Sequence, residues 1–122
     1  MRVAVIGSRQ CNGLTLEQIL TEIPADCSEI ISGGAMGVDT LARQAARSLG
    51  LPFHEYLPDY ETFGRTAPLI RNRTIVQNAD MILAFWDYHS HGTRDALLKG
   101  LEEEKPIKII LLEEPFYGRL KK

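Results

Sequence analysis

The sequence predicts an α/β fold: one parallel sheet of five strands in a three-layer sandwich with helices on both faces. Three observations carry that prediction. Short runs rich in β-branched residues alternate with longer segments patterned at helical spacing. The connections between them are short, as crossover units require. Strand-like runs also end abruptly at glycine, most clearly in Ile30-Ile31-Ser32-Gly33-Gly34-Ala35-Met36-Gly37-Val38-Asp39.

Residues 2–6, mostly β-branched, read as a buried first strand that ends at Gly7-Ser8-Arg9. Thr15 followed by Gln18 makes a capping box, and Leu16, Ile19, Leu20 and Ile23 share one helical face until Pro24 closes the segment. Residues 29–32 form the second strand. After its glycine turn an apolar stripe runs through Val38, Leu41, Ala42, Ala45, Ala46 and Leu49, and Gly50 caps this helix with Pro52 beyond it. Residues 52–57 alternate as a third strand nearer an edge, and residues 58–64 read as a loop carrying Asp59, Tyr60, Glu61 and Phe63.

A helix is expected from near Ala67, with Pro68 in its first turn, to about Asn78. Its middle is polar, at Arg71, Asn72 and Arg73. Residues 80–86 are the most hydrophobic strand candidate, followed by the loop 87–93. The next helix turns Ala96, Leu97, Gly100 and Leu101 inward, Pro106 ends the connection, and residues 107–112 make the last strand. Residues 113–122 read as a tail with no assigned element. The expectation is one domain over residues 1–122. Right-handed crossovers make the sheet Rossmann-like with strand order 3-2-1-4-5, its switch point between the first and fourth strands. Ligands bind at the strand C-termini of such sheets, where the loops after Ile6, Ile31, Leu57 and Trp86 gather.

Bulk properties narrow the function. The 122 residues suffice for a core without metal or disulfide support. A net charge of −2 supplies no overall basic field, which weighs against nucleic acid as a partner. Wherever the sequence places a Lys or Arg from Arg2 to Arg94 it is arginine, the residue suited to bidentate contact with phosphate or carboxylate. Cys11 and Cys27 fall in no metal or redox pattern, and Met1 leads straight into a strand-like run rather than a signal peptide. No apolar run has membrane-spanning length. A reducing cytoplasm is the simplest setting, with no membrane partner.

The glycine turns hold the chemistry. At Gly33, Gly34 and Gly37 the backbone N–H groups can approach an anion at a helix N-terminus, although such glycines also serve plain βα turns. Gly92 and Thr93, with Ser90, repeat that arrangement before the last helix; an ordinary Thr cap is the alternative. Arg71 shares a face with Ile75 and is favoured over Arg73 to reach the ligand. Asp39 follows Gly37 at a helix start and Asp95 lies one turn inside the helix that Thr93 begins, where an acid suits the helix dipole, and Arg43 follows Asp39 at i+4. His89 and His91 near Asp87 make a weak metal pattern, and no metal or other cofactor is expected. Trp86 reads as core or cleft wall. The G-x-G-x-x-G, G-K-[ST] and nucleophile-elbow patterns are absent from the sequence.

As a set, Gly7-Ser8-Arg9, Ser32-Gly33-Gly34-Ala35-Met36-Gly37-Val38-Asp39, Gly64-Arg65, Arg71-Asn72, Asn78-Ala79-Asp80 and Ser90-x-Gly92-Thr93 resemble the SLOG superfamily. The second of these looks like the signature of the bacterial DNA-processing protein A (Smf) family, and the whole resembles the small YspA- and YpsA-related branch. SLOG also includes the "lonely guy" (LOG) phosphoribohydrolases, which cleave the N-glycosidic bond of nucleoside 5′-monophosphates. That resemblance implies Arg71 and Asp95 as catalytic residues. Asp95 stands where LOG proteins have a glutamate, and Tyr88-His89-Ser90-His91 replaces their P-G-G-x portion.

The leading expectation is a module that binds a nucleotide or nucleotide-derived ligand through Gly7, Ser8, Arg9, Ser32, Gly33, Gly34, Gly37, Asp39, Ser90, Gly92 and Thr93. A LOG-like phosphoribohydrolase comes second and a single-strand DNA binder third. Leu97 and Leu101 are the candidate face for pairing two copies.

Overall fold

The computed structural model describes residues 1–9, 11, 13–34 and 36–112, so Ala35 and the expected tail 113–122 lie outside the described residues. In chain order the elements are β1 (Arg2–Gly7), α1 (Leu16–Glu22), β2 (Glu29–Ser32), α2 (Val38–Leu49), β3 (Phe53–Glu55), α3 (Tyr60–Phe63), a 3-10 turn (Gly64–Thr66), α4 (Ala67–Asn78), β4 (Met81–Trp86), α5 (His91–Glu102) and β5 (Ile107–Leu111). The strands form one parallel sheet in the order β3-β2-β1-β4-β5. This is the expected α/β Rossmann-like arrangement. Its switch point lies between β1 and β4, paired from Val3 with Met81 to Gly7 with Phe85.

The period-2 alternation of the two central strands divides the core. Val3 and Val5 of β1 join Leu83 and Phe85 of β4 beneath α1 and α2, while Ala4, Ile6, Ile82 and Ala84 face α4 and α5. Each fully buried large side chain, such as Phe85 or Ile82, contributes roughly 1.5–3 kcal/mol. Gly7 and Gly100 let neighbouring elements pack against the backbone where a Cβ would not fit. A Cβ on Gly7 would lie 2.5 Å from the Phe85 carbonyl oxygen and 2.6 Å from a Val38 methyl. Among the described residues, no helix is long and apolar enough to cross a membrane.

Local signals explain the boundaries. The Thr15–Gln18 capping box forms, with the Thr15 N–H donating to Gln18 Oε1 at 2.8 Å and the Gln18 N–H to Thr15 Oγ1 at 3.2 Å. Gly50 ends α2 in the left-handed conformation.

Three expectations need correction. The stretch expected as a loop after β3 contains α3, because the Asp59 side chain accepts from the Thr62 N–H at 3.2 Å and starts a helical turn. Leu101 points outward at 65% exposure: α5 packs through Ala96, Leu97 and Gly100, which places the next residue about 100° round, in solvent. Leu97 is core, so the two leucines do not share an interface. Leu49, last in the α2 stripe, is exposed in the final turn before the Gly50 cap.

Candidate functional site

At the C-terminal edge of the sheet, where β1 and β4 part, lies a cleft of about 560 Å³. Gly7 and Arg9 line it from the end of β1 and the residues after it, Gly33, Gly34 and Asp39 from the β2–α2 turn and the start of α2, and Tyr60, Pro68, Arg71, Asn72 and Ile75 from α3 and α4. The fourth wall is Asp87 and residues 89–93 between β4 and α5. This is the position that strand order alone assigns to a ligand.

The wall after β4 is a hydrogen-bonded turn. Asp87 Oδ1 accepts from the N–H groups of His89 at 2.8 Å and Ser90 at 2.9 Å. Tyr88, between them, takes a φ of 69°, a left-handed conformation costing a residue with a Cβ roughly 1–2 kcal/mol. Partial burial pushes the Asp87 carboxyl pKa upward, but the Ser90 and His89 N–H groups, the Ser8 hydroxyl and the His89 charge outweigh it, leaving the pKa below the ordinary aspartate value. Ser8 anchors the turn from below: its N–H donates to Phe85 O at 3.1 Å, and its Oγ accepts from the Asp87 N–H at 3.1 Å. Trp86 Nε1 donates to Ser90 O at 3.1 Å.

Ser90, not Thr93, caps α5. Its hydroxyl oxygen accepts from the Thr93 N–H at 3.4 Å and lies 3.0 Å from Thr93 Oγ1. The reason is spacing: the helix already begins at His91, so Thr93 is its third residue and is buried. A Cβ on Gly92 would meet nothing within 4 Å, so the cleft is open above the first turn of α5. That turn carries the positive end of a helix of 12 residues.

Opposite stands Arg71, on α4. Its Nη1 donates to the carbonyls of Gly33 and, at 3.3 Å, Tyr56, and its Nε donates to Asn72 Oδ1 at 3.0 Å. Burial lowers the guanidinium pKa; Asp39 and Tyr60 pull it back and Arg9 adds to the lowering. Arginine stays cationic throughout, so the cleft holds a fixed, half-buried positive charge. Arg73 turns away to Glu102 and Glu103, at 3.1 and 3.0 Å, as the shared face of Arg71 and Ile75 anticipates.

Of the residues singled out in the sequence, Gly7, Arg9, Gly33, Gly34, Asp39, Arg71, Ser90, Gly92 and Thr93 meet around the cleft. Ser8 is fully buried beneath it. Ser32 is also buried at the end of β2, its hydroxyl without a hydrogen-bond partner. Gly37 caps α2 at a φ of 81° and a ψ of −109°, where a Cβ would run into the carbonyl of Arg9. Asp95 sits behind the cleft wall: Lys99 Nζ lies 2.6 and 2.7 Å from its two oxygens, and Asn72 Nδ2 donates to Oδ2 at 3.0 Å. Arg43, the i+4 neighbour of Asp39, pairs with Glu55 at 2.6 Å.

Sequence reading did not single out Asn72, Asp87 or Tyr60 as site residues. Asn72 carried a usable signal, a small amide on a helix face that also bears the core residue Ile75. Among the described residues, no group of three or more His, Cys, Asp or Glu side chains is gathered to hold a metal.

The family model described as the YspA, cpYpsA-related SLOG family matches residues 1–63, just over half of the chain. The chain belongs to that SLOG family. The match takes in Gly7, the β2–α2 glycine turn and Asp39, which form one side of the cleft. No curated protein matches the chain.

Among solved structures, DNA processing protein A from Streptococcus pneumoniae is similar with a TM-score of 0.76 at 20% identity, over 93% of this chain and 51% of that one. The SLOG chain therefore spans about half the length of that protein. DNA processing protein A from Helicobacter pylori is similar with a TM-score of 0.73, also at 20% identity, over 99% of this chain and 72% of that one. At that identity the likeness concerns the fold. The H. pylori protein binds single-stranded DNA, which does not fit a weighting against nucleic acid drawn from net charge.

Proposed function

We propose that this SLOG chain binds a nucleotide or nucleotide-derived phosphorylated ligand in the cleft at the β1–β4 switch point, as a binding or sensor module. The observation that carries the reading is the convergence, around about 560 Å³, of the open first turn of α5, with Ser90 and Thr93, and the half-buried Arg71. The volume suits a small ligand. The helix terminus and Arg71 suit its phosphate, while Pro58, Tyr60 and Pro68 offer an apolar wall to its flatter part. The engagement of Asp95 by Lys99 and Asn72 supports binding without cleavage over a LOG-like phosphoribohydrolase. Residues 1–122 act as one domain in this reading, and the free thiols of Cys11 and Cys27 agree with a cytoplasmic setting.

The test is a thermal-shift and native mass spectrometry panel of nucleoside mono-, di- and triphosphates and ADP-ribose. At least one is expected to stabilise the protein, and to do so less in Arg71→Ala. Stabilisation by none would overturn the reading.

Single-stranded DNA is the second reading, favoured by the H. pylori neighbour and by Arg9 and Arg71 in the cleft. It predicts that a labelled oligonucleotide is retained at low salt and released steeply as salt rises. No retention at low salt would remove it.

A further inference from the structure

Asn72 is 6% exposed, and each of its polar atoms is in use. Oδ1 accepts from Arg71 Nε at 3.0 Å, while Nδ2 donates to Gly92 O at 3.3 Å and to Asp95 Oδ2 at 3.0 Å. One amide therefore joins three things: the guanidinium on α4, the open first turn of α5, and the ion pair between Asp95 and Lys99. An amide is the side chain that does this, because it accepts at one end and donates twice at the other. A carboxylate in the same place would face the Gly92 carbonyl and the Asp95 carboxylate with no proton to offer. Leucine of similar size would leave Arg71 Nε buried without an acceptor.

From this geometry we infer that Asn72 is a positioning residue, fixing Arg71 and the Gly92 turn relative to each other so that one phosphate meets both at once. The inference deepens the nucleotide reading and rests on it for its ligand. Holding two anion-binding groups at a set separation avoids the cost of ordering them on binding. Asp95 is the outer support of the device, held in turn by Lys99.

The experiment titrates AMP, by calorimetry, into the full chain and into Asn72→Ala, Asn72→Asp, Arg71→Ala and the Asn72→Ala/Arg71→Ala double variant. In parallel, ¹H–¹⁵N spectra follow water exchange of the Arg71 Nε–H. Asn72→Ala is expected to weaken AMP about tenfold. In the Arg71→Ala background the same change adds no more than about twofold, because Asn72 acts through the arginine. The Nε–H exchanges slowly in the native chain and in Asn72→Asp, where the acceptor persists, and quickly in Asn72→Ala. Asn72→Asp still loses AMP affinity, since its second oxygen repels the Gly92 carbonyl. That pattern separates positioning from a general loosening of the fold, which would speed exchange in both variants.

Unchanged AMP affinity in Asn72→Ala, or losses that multiply in the double variant, would overturn the inference. If the native chain does not bind AMP, that nucleotide fails as the ligand and the exchange measurement decides: equal Nε–H exchange in the native chain and Asn72→Ala rules out positioning by Asn72.

Discussion

Lys99 Nζ lies 2.6 Å from Asp95 Oδ1 and 2.7 Å from Oδ2, an i,i+4 clasp on α5 with both side chains largely covered. A carboxylate held this way is balanced in charge, and both of its oxygens are already engaged, by Lys99 and by Asn72. In assays with nucleoside 5′-monophosphates, ribose 5-phosphate release is therefore expected to equal the protein-free control. Asp95→Ala should instead lower the free energy of unfolding by about 1 kcal/mol, the scale of a partly exposed pair. Denaturant titration measures the second quantity. Release of ribose 5-phosphate that Asp95→Ala abolishes would reverse the assignment.

Gly7 and Gly92 are both glycines at the cleft, and the structure separates their roles. A Cβ at Gly7 collides with the Phe85 carbonyl and with Val38, so Gly7→Ala forces β1, β4 and α2 apart. The expected loss is about 2–3 kcal/mol, seen as a lower urea midpoint with unchanged slope. A Cβ at Gly92 enters open space. Gly92→Ala should change stability by less than about 0.5 kcal/mol while weakening any ligand seated on the first turn of α5 about tenfold or more. The same two effects in both variants would show that the glycines do not divide this way.

The fold was legible because each element carried its own local signal. Alternating β-branched runs such as residues 2–6, the Thr15–Gln18 box and the cap at Gly50 are decided within a few residues, and chirality then leaves few strand orders. The site was legible only as far as the loops that topology gathers. Which atoms face the cleft depends on contacts far apart in sequence: Arg71 to Gly33, Asn72 to Gly92, Ser8 to Asp87. Those contacts gave Ser8 and Asn72 their partners, which a local pattern does not name even where, as at Asn72, it marks the residue. The Asp95–Lys99 pair has the i,i+4 spacing that a helix favours, but spacing did not single it out: the pair read from the sequence was Asp39 with Arg43, and Arg43 bonds to Glu55.

Ser32 closes β2 with a hydroxyl that is buried and has no hydrogen-bond partner. An unsatisfied buried polar atom costs on the order of 1 kcal/mol or more. Ser32→Ala is therefore expected to leave the melting temperature unchanged or raise it by a few degrees, and to leave nucleotide affinity intact. A loss of affinity with unchanged stability would show instead that the hydroxyl reaches the ligand.

The turn held by Asp87 sets the acid limit of the site. Its carboxylate accepts from two backbone N–H groups, so its folded-state pKa lies below the value near 4 that an unfolded aspartate has. Above roughly pH 4 the group is ionised in both states and its stabilisation is fully present. As pH falls below that, the unfolded chain takes up the proton first, and the stabilisation is lost as pH passes through the folded value. Asp87→Asn keeps an acceptor without the charge. It is expected to cost about 1 kcal/mol at pH 7, after allowing for solvent screening of a partly exposed group, and progressively less as pH falls below about 4. Urea unfolding of both proteins from pH 2.5 to 7 measures the difference. Two curves that stay parallel across that range would mean that the Asp87 charge does not hold the turn, and that Ser8 and Trp86 suffice to hold Ser90 and the start of α5 over the cleft.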